Sequence, residues 1–117
     1  MPFVAITTSA RVEETDHQQT ILNEVAHLVA EHLGKPPRYV MVHLEAGAAM
    51  AFAETGEPCA HVAVHGIGTP PREHTTALVA ALCQRLAVLL GVAQGRIFVV
   101  FTSVARELWG LDGRLLG

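Results

Sequence analysis

Apolar residues recur along this chain with two different periods. In four short stretches they alternate with polar residues or form β-branched runs, which predicts β-strands. These stretches are residues 3–8, 38–45, 59–67 and 96–103. Two longer stretches, residues 16–33 and 73–90, repeat apolar side chains every three or four positions and predict amphipathic helices.

Glycines and prolines mark the ends of these elements. Gly34 and Gly91 follow the two helical stretches, where glycine favours a left-handed stop. Thr15 or Asp16 is a candidate cap for the first helix. Segment 47–58 keeps neither period and is predicted to be a connection.

The predicted elements follow the order strand, helix, strand twice over. Leu33-Gly34 recurs as Leu90-Gly91 after 57 positions, so the two halves resemble each other. We therefore predict one α+β domain over residues 1–117, with two β-α-β units that form a four-stranded sheet and place both helices on one face. The last predicted strand is apolar on both sides, which predicts that the other sheet face packs on sister subunits.

Composition excludes several classes of protein. Half of the 117 residues are apolar, 16% are charged and the formal net charge is −3, which argues against disorder and against nucleic acid as a partner. The apolar runs fall short of the roughly 18 to 20 residues that span a bilayer, so no membrane segment is expected. The first residues lack a basic leader, and we expect a cytoplasmic location. Cys59 and Cys83 lack a disulfide or metal spacing and are expected to be small buried residues.

Neither the histidines nor the glycine-containing segment after them forms a recognisable binding motif. His61 and His65 are four apart on a predicted strand, which separates their side chains by about 13 Å and argues against one shared metal ion. Gly66-Ile67-Gly68 lacks the lysine of a phosphate-binding loop. We expect no metal and no cofactor.

Pro2 is the residue with the clearest chemical potential. A proline after the initiator methionine favours removal of that methionine, which leaves a secondary amine at the start of a strand. An α-amino group has a pKa near 8, and burial or a cation such as Lys35 lowers it toward neutrality, where the amine can act as a general base. The alternative is that Pro2 only begins an edge strand.

Several segments together resemble the macrophage migration inhibitory factor family of the tautomerase superfamily. They are the Pro2 start, the run Leu33-Gly34-Lys35-Pro36-Pro37-Arg38-Tyr39-Val40, the segment Glu57-Pro58-Cys59-Ala60, His65 with Ile67-Gly68, and Leu108-Trp109-Gly110 with Gly113. Their order and spacing cover essentially the whole chain.

The resemblance implies a homotrimer whose sheets form an inner barrel, with a site at each subunit interface. It implies a keto-enol tautomerase for a small α-keto acid such as phenylpyruvate, with Pro2 as the base, Lys35 holding the substrate carboxylate and the backbone N–H of Ile67 as a further donor. It also places further substrate-binding residues around the pocket: Tyr39, His65, Trp109, Leu111 and Leu116.

The chain departs from the family pattern at several positions. Phe98 and Val100 stand where the mammalian relatives place a tyrosine and an asparagine contributed by the neighbouring subunit, so two polar groups are lost from the implied pocket. Val62 replaces the second cysteine of a Cys-x-x-Cys element, so no thiol exchange is expected. Leu115 and Leu116 replace the polar and aromatic residues of many relatives' tails.

Two other functions remain open. The first is hydration or dehalogenation of an unsaturated acid, for which Arg72, Glu73, Arg106 and Glu107 supply the types of side chain required. The second is a trimeric binding protein, weakly active or inactive as an enzyme, which acts on a partner as a cytokine does. If Met1 is retained, the nitrogen of Pro2 is an amide and is not a base.

Overall fold

The computed structural model describes all 117 residues. Two long helices and four principal strands are followed by a short hairpin. The helices are α1 (Thr15–Leu33) and α2 (Arg72–Leu90), and the strands are β1 (Phe3–Thr8), β2 (Met41–Glu45), β3 (Ala60–Ile67), β4 (Ile97–Val104), β5 (Gly110–Leu111) and β6 (Arg114–Leu115).

The four long strands form one mixed sheet in the order β2-β1-β3-β4. β1 and β3 lie antiparallel at its centre, with Phe3 opposite His65. β2 runs parallel to β1, and β4 runs parallel to β3. Each β-α-β unit therefore pairs its own two strands, as predicted.

Both helices pack on the same face of this sheet. Alternate residues of the central strands, such as Val4 and Ile6 of β1 and Val62 and Val64 of β3, are buried on that face. They form one core with the inward faces of both helices, which contribute Ile21, Val25, Val29, Leu78, Leu82 and Leu86. The α+β architecture with two helices on one sheet face is therefore confirmed.

The 57-residue repeat seen in the sequence is present in the backbone. After Gly34 the Lys35 N–H donates to the Ala30 carbonyl at 2.9 Å, and after Gly91 the Val92 N–H donates to the Ala87 carbonyl at 3.2 Å. Each helix is also followed by a short 3₁₀ turn, Pro37–Tyr39 in the first half and Gln94–Arg96 in the second. The two halves thus stay in register through their helix ends and into the next strand.

Two local predictions were wrong, and one element was not predicted. The predicted strand 38–45 begins only at Met41, because Pro36 and Pro37 set the preceding backbone into a 3₁₀ turn that contains Tyr39. Neither Thr15 nor Asp16 caps α1, since Glu14 occupies the cap position and no side chain bonds there. The tail contains the hairpin β5-β6.

The turn of this hairpin is Asp112-Gly113, with φ of 53° and 77°. Asp-Gly is a preferred dipeptide for a type I′ turn, in which both central residues have positive φ. The Asp112-Gly113 dipeptide is therefore the feature of the sequence that could have predicted the hairpin.

The sheet face opposite the helices has no covering layer within the chain. Met41 is 68% exposed, Phe98 is 55% exposed and Val100 is 45% exposed. The same face carries the alternate residues His43, His61 and His65. It therefore combines an apolar surface with imidazole groups.

The cysteines are unpaired. Cys59 is buried, with its Sγ 3.9 Å from the Ser9 hydroxyl, whereas Cys83 is only half-buried, and burial raises the pKa of its thiol. Neither helix is long and apolar enough to cross a membrane.

Candidate functional site

A cavity of about 760 Å³ opens at the start of β1. Its walls come from Pro2 before β1, Lys35 after α1, Ile67 at the end of β3 and Arg72 at the start of α2. β1 and β3 are antiparallel, so the residues before Phe3 lie beside those after His65. The volume is in the range of small-molecule sites.

Pro2 is held firmly at this end of the sheet. Its ring is buried, and its carbonyl accepts a hydrogen bond from the Met41 N–H at 3.1 Å. That bond continues the pairing of β1 with β2 by one residue. Met1 and Pro2 both line the cavity.

The electrostatic surroundings disfavour a positive charge on the chain terminus. In the chain as it stands the α-amino group belongs to Met1, and its pKa is lowered from the ordinary 8.0. Burial is the largest cause, and the positive charges of Lys35 and Arg106 lower this pKa further. An amine at this end of β1 is therefore neutral to a lower pH than a solvated terminus.

Lys35 reaches the cavity because of how α1 ends. Gly34 adopts φ of 64°, which turns the chain out of the helix, and Lys35 follows directly. Its side chain is exposed and lines the cavity beside Pro2. No carboxylate lies within salt-bridge distance of its ammonium group.

The cavity also contains polar residues to which the sequence had assigned no binding role. They include Thr69, His74, Thr75, Thr102 and Ser103, together with Arg72, which had been considered only for the hydration reaction. Ser103 donates to the Gly68 carbonyl at 2.8 Å and so joins the end of β4 to the turn after β3. A signal for Arg72 was available, because it follows the Pro70-Pro71 break directly after a predicted strand.

The acidic residues considered for the hydration reaction lie outside the cavity. Neither Glu73 nor Glu107 lines the cavity, and no Asp or Glu is among its 17 lining residues. Arg106 does not line it either, although its charge acts on the terminal amine. Within one chain, cations, hydroxyl groups and apolar side chains therefore line this space without a carboxylate.

Two of the predicted binding residues on strands and turns lie outside the cavity. Tyr39 is 42% exposed, and the Arg38 guanidinium lies 4.7 Å from its ring centre. His65 points to the open sheet face, where its ring lies edge-on to Phe3 at 6.0 Å.

The remaining predicted residues are also separate from the cavity within one chain. Phe98 packs edge-on against Phe52 at 5.1 Å on the open sheet face, which it shares with Val100. Trp109 is half-buried, and its carbonyl accepts from the Leu116 N–H at 2.9 Å across the tail hairpin. Leu111 is 46% exposed. The single chain thus brings Pro2, Lys35 and Ile67 together and leaves the other predicted residues apart.

No set of three or more His, Cys, Asp or Glu side chains is arranged to hold a metal ion. The histidines of the open face are spread over two strands, and the cavity contains only His74.

Known proteins share both the sequence pattern and the fold. The family model described as macrophage migration inhibitory factor matches residues 1–117. The macrophage migration inhibitory factor homolog of Brugia malayi is 26% identical over 117 residues and covers 100% of both chains. The crystal structure of the macrophage migration inhibitory factor homologue from Prochlorococcus marinus gives a TM-score of 0.91 at 32% identity, over 98% of this chain and 99% of that one. The corresponding Toxoplasma gondii structure gives 0.90 at 29% identity, over 97% and 98%. The chain belongs to the macrophage migration inhibitory factor family.

Proposed function

We propose that this chain is a keto-enol tautomerase that acts on a small α-keto acid of the phenylpyruvate type, with the amine of Pro2 as its general base. The observation that carries the proposal is the placement of Pro2 beside Lys35 in one cavity, at a chain terminus where an amine has a lowered pKa. Removal of Met1 frees the nitrogen of Pro2. Pro2 is buried, and burial disfavours the charged form of an amine.

The reaction moves one proton and needs no other reactant. The neutral amine takes a proton from the carbon next to the keto group, and the electron pair of that C–H bond forms the enolate. The prolinium then returns the proton to the enolate oxygen, which gives the enol. The reverse sequence protonates the carbon and regenerates the keto acid and the neutral amine.

Lys35 has two roles in this mechanism. Its ammonium attracts the substrate carboxylate, which orients the enolisable carbon toward Pro2. After burial, its positive charge is the next cause of the lowered pKa of the terminal amine, which favours the neutral, basic form. The Ile67 N–H, at the end of β3, is a further donor for the substrate.

We assign the uncovered sheet face to a homotrimer. Its exposed apolar residues, Met41, Phe98 and Val100, are of the kind that subunit contacts bury. In such an assembly Phe98 and Val100 reach the site of a neighbouring subunit, where they line it with apolar side chains.

The trimer predicts a specific effect of charge on this face. Sedimentation equilibrium is expected to give the mass of three chains, and Val100→Asp is expected to lower it, because a buried unpaired carboxylate opposes association. Val88→Asp is the matched control, since Val88 is 70% exposed on the outside of α2. Equal masses for the two variants would contradict the assignment of this face.

The ketonisation of enol phenylpyruvate, followed by ultraviolet absorbance, tests the proposed function. The protein must first be shown by mass spectrometry to lack Met1. Turnover well above the buffer rate is the expected result. Absence of turnover, with bromide or chloride release from a haloacrylate, would favour the dehalogenase alternative. Absence of both activities would favour a trimeric binding protein.

Lys35→Met is expected to shift the pH dependence of this reaction. Loss of the positive charge raises the amine pKa, so the inflection of kcat/KM moves to higher pH and activity at neutral pH falls. KM also rises, because the substrate carboxylate loses its partner. Lys35→Arg keeps the charge and is expected to keep the inflection. An unchanged inflection in Lys35→Met would show that Lys35 does not tune the base.

A further inference from the structure

Two cations that line the cavity, Lys35 and Arg72, have no partner in the protein. Their side chains form no salt bridge and donate no hydrogen bond to another residue, and the same holds for Arg106, whose charge acts on the terminal amine from outside the cavity wall. Two arginines elsewhere in the chain do have partners. Arg85 binds both carboxylate oxygens of Glu24 at 2.8 and 3.1 Å, and Arg96 donates to three backbone carbonyls. The cavity wall therefore carries positive charge that no carboxylate of the protein neutralises.

The position of Arg72 is unfavourable for the helix that carries it. It is the first residue of α2, where the helix dipole favours anions and disfavours cations. Glu73 is the next residue, yet the two side chains form no ion pair. Helix stability thus gives no reason for an arginine here, whereas its place in the cavity wall does.

A monocarboxylate substrate uses only part of this charge. Its carboxylate pairs with Lys35 next to the reacting carbon, which leaves the guanidinium of Arg72 without a partner. Arginine presents paired N–H donors whose geometry matches a carboxylate. A cavity of about 760 Å³ also leaves space beyond the reacting atoms of a small keto acid.

We infer that Arg72 binds a second anionic group, so that this site selects α-keto acids with a second carboxylate at the far end of the molecule. The inference rests on the proposed function, because it takes Lys35 as the partner of the first carboxylate. Arg72 is a specificity-determining residue in this scheme and takes no part in proton transfer.

Two matched enols test the inference, phenylpyruvate and 4-carboxyphenylpyruvate, which differ only in a ring carboxylate. The protein without Met1 is expected to have a kcat/KM about tenfold higher for the diacid, which corresponds to one added charge-assisted contact. Arg72→Gln is expected to abolish this preference by raising the KM of the diacid about tenfold. Arg72→Lys is expected to restore part of the preference. Arg114→Gln, in the exposed tail hairpin, is the matched control. It is expected to leave kcat/KM unchanged for both substrates.

The pH profile distinguishes substrate binding from an effect on the base. Burial, Lys35 and Arg106 lower the pKa of the terminal amine, and Arg72 is not among the causes. The inflection of kcat/KM for phenylpyruvate is therefore expected to stay in place in Arg72→Gln. A shifted inflection, or a preference for the diacid that survives Arg72→Gln, would overturn the assignment of Arg72.

A binding measurement separates this inference from the proposed function. Calorimetric titration with 3-phenylpropanoate and 3-(4-carboxyphenyl)propanoate, neither of which enolises readily, is expected to show tighter binding of the diacid that depends on Arg72. That result without turnover of either enol would contradict the tautomerase and support the dianion site. Turnover of phenylpyruvate with equal binding of the two acids would support the tautomerase and refute the dianion site.

Discussion

Protein that retains Met1 is expected to ketonise enol phenylpyruvate roughly 10² to 10⁴ times more slowly than protein from which Met1 has been removed, the usual range for loss of a general base. With Met1 present the nitrogen of Pro2 is an amide, which has no available basic electron pair. The Met1 amine lines the same cavity but is displaced from Pro2 by a full residue. The comparison uses two preparations of one sequence, distinguished by mass, with the rate followed by ultraviolet absorbance.

Pro2→Gly is the matched variant for this experiment. Glycine also permits removal of Met1, so the terminus remains an amine, but the amine is primary and the buried proline ring is lost. We expect an intermediate rate, above that of the Met1-retaining protein and below that of the parent. Equal rates in the parent and in the Met1-retaining form would eliminate the terminal amine as the base.

Leu82→Ala is expected to lower the free energy of unfolding by about 2 to 5 kcal/mol, the usual cost of a cavity in a packed core. Leu82 is completely buried in the core between α2 and the sheet. Urea denaturation followed by circular dichroism measures the change. The chain concentration must be held constant, because association of folded chains raises apparent stability.

Val88→Ala is the control on the same helix. Val88 lies six residues further along α2 and is 70% exposed, so its truncation removes little buried surface. Its effect is expected to stay within about 0.5 kcal/mol, as is usual at the surface. A similar loss in both variants would mean that the outer face of α2 is covered in the folded protein.

The main elements were predictable because their signals are local. The spacing of Ile21, Val25 and Val29 is enough to predict α1 and the face it buries. The order of the strands depends on contacts between distant residues, such as Phe3 with His65, which no local period contains. The order was reachable only through the repeated β-α-β arrangement, in which each unit pairs its own strands.

The residues that line the candidate site were predictable to a smaller extent. Position and residue type indicated Pro2 and Lys35, and the resemblance to a family added Ile67. Arg72 was visible as a charge, but its place in the cavity depends on how the turn after β3 meets the start of β1. Phe98 and Val100 lie outside the cavity of their own chain, so their proposed role depends on a neighbouring subunit.

The two halves of the chain repeat the same fold, and they differ most at the positions that correspond to Pro2 and Lys35. The counterpart of Pro2, 57 positions later, is Cys59, whose N–H donates to the Ser9 hydroxyl and whose carbonyl accepts from Thr8 and Ser9. The counterpart of Lys35 is Val92, which is buried in the core. β3 starts in the middle of the polypeptide. It can therefore repeat the strand geometry of β1, but it has no terminal amine. The proposed amine chemistry is thus confined to one half, and the corresponding positions of the other half are packed into the fold.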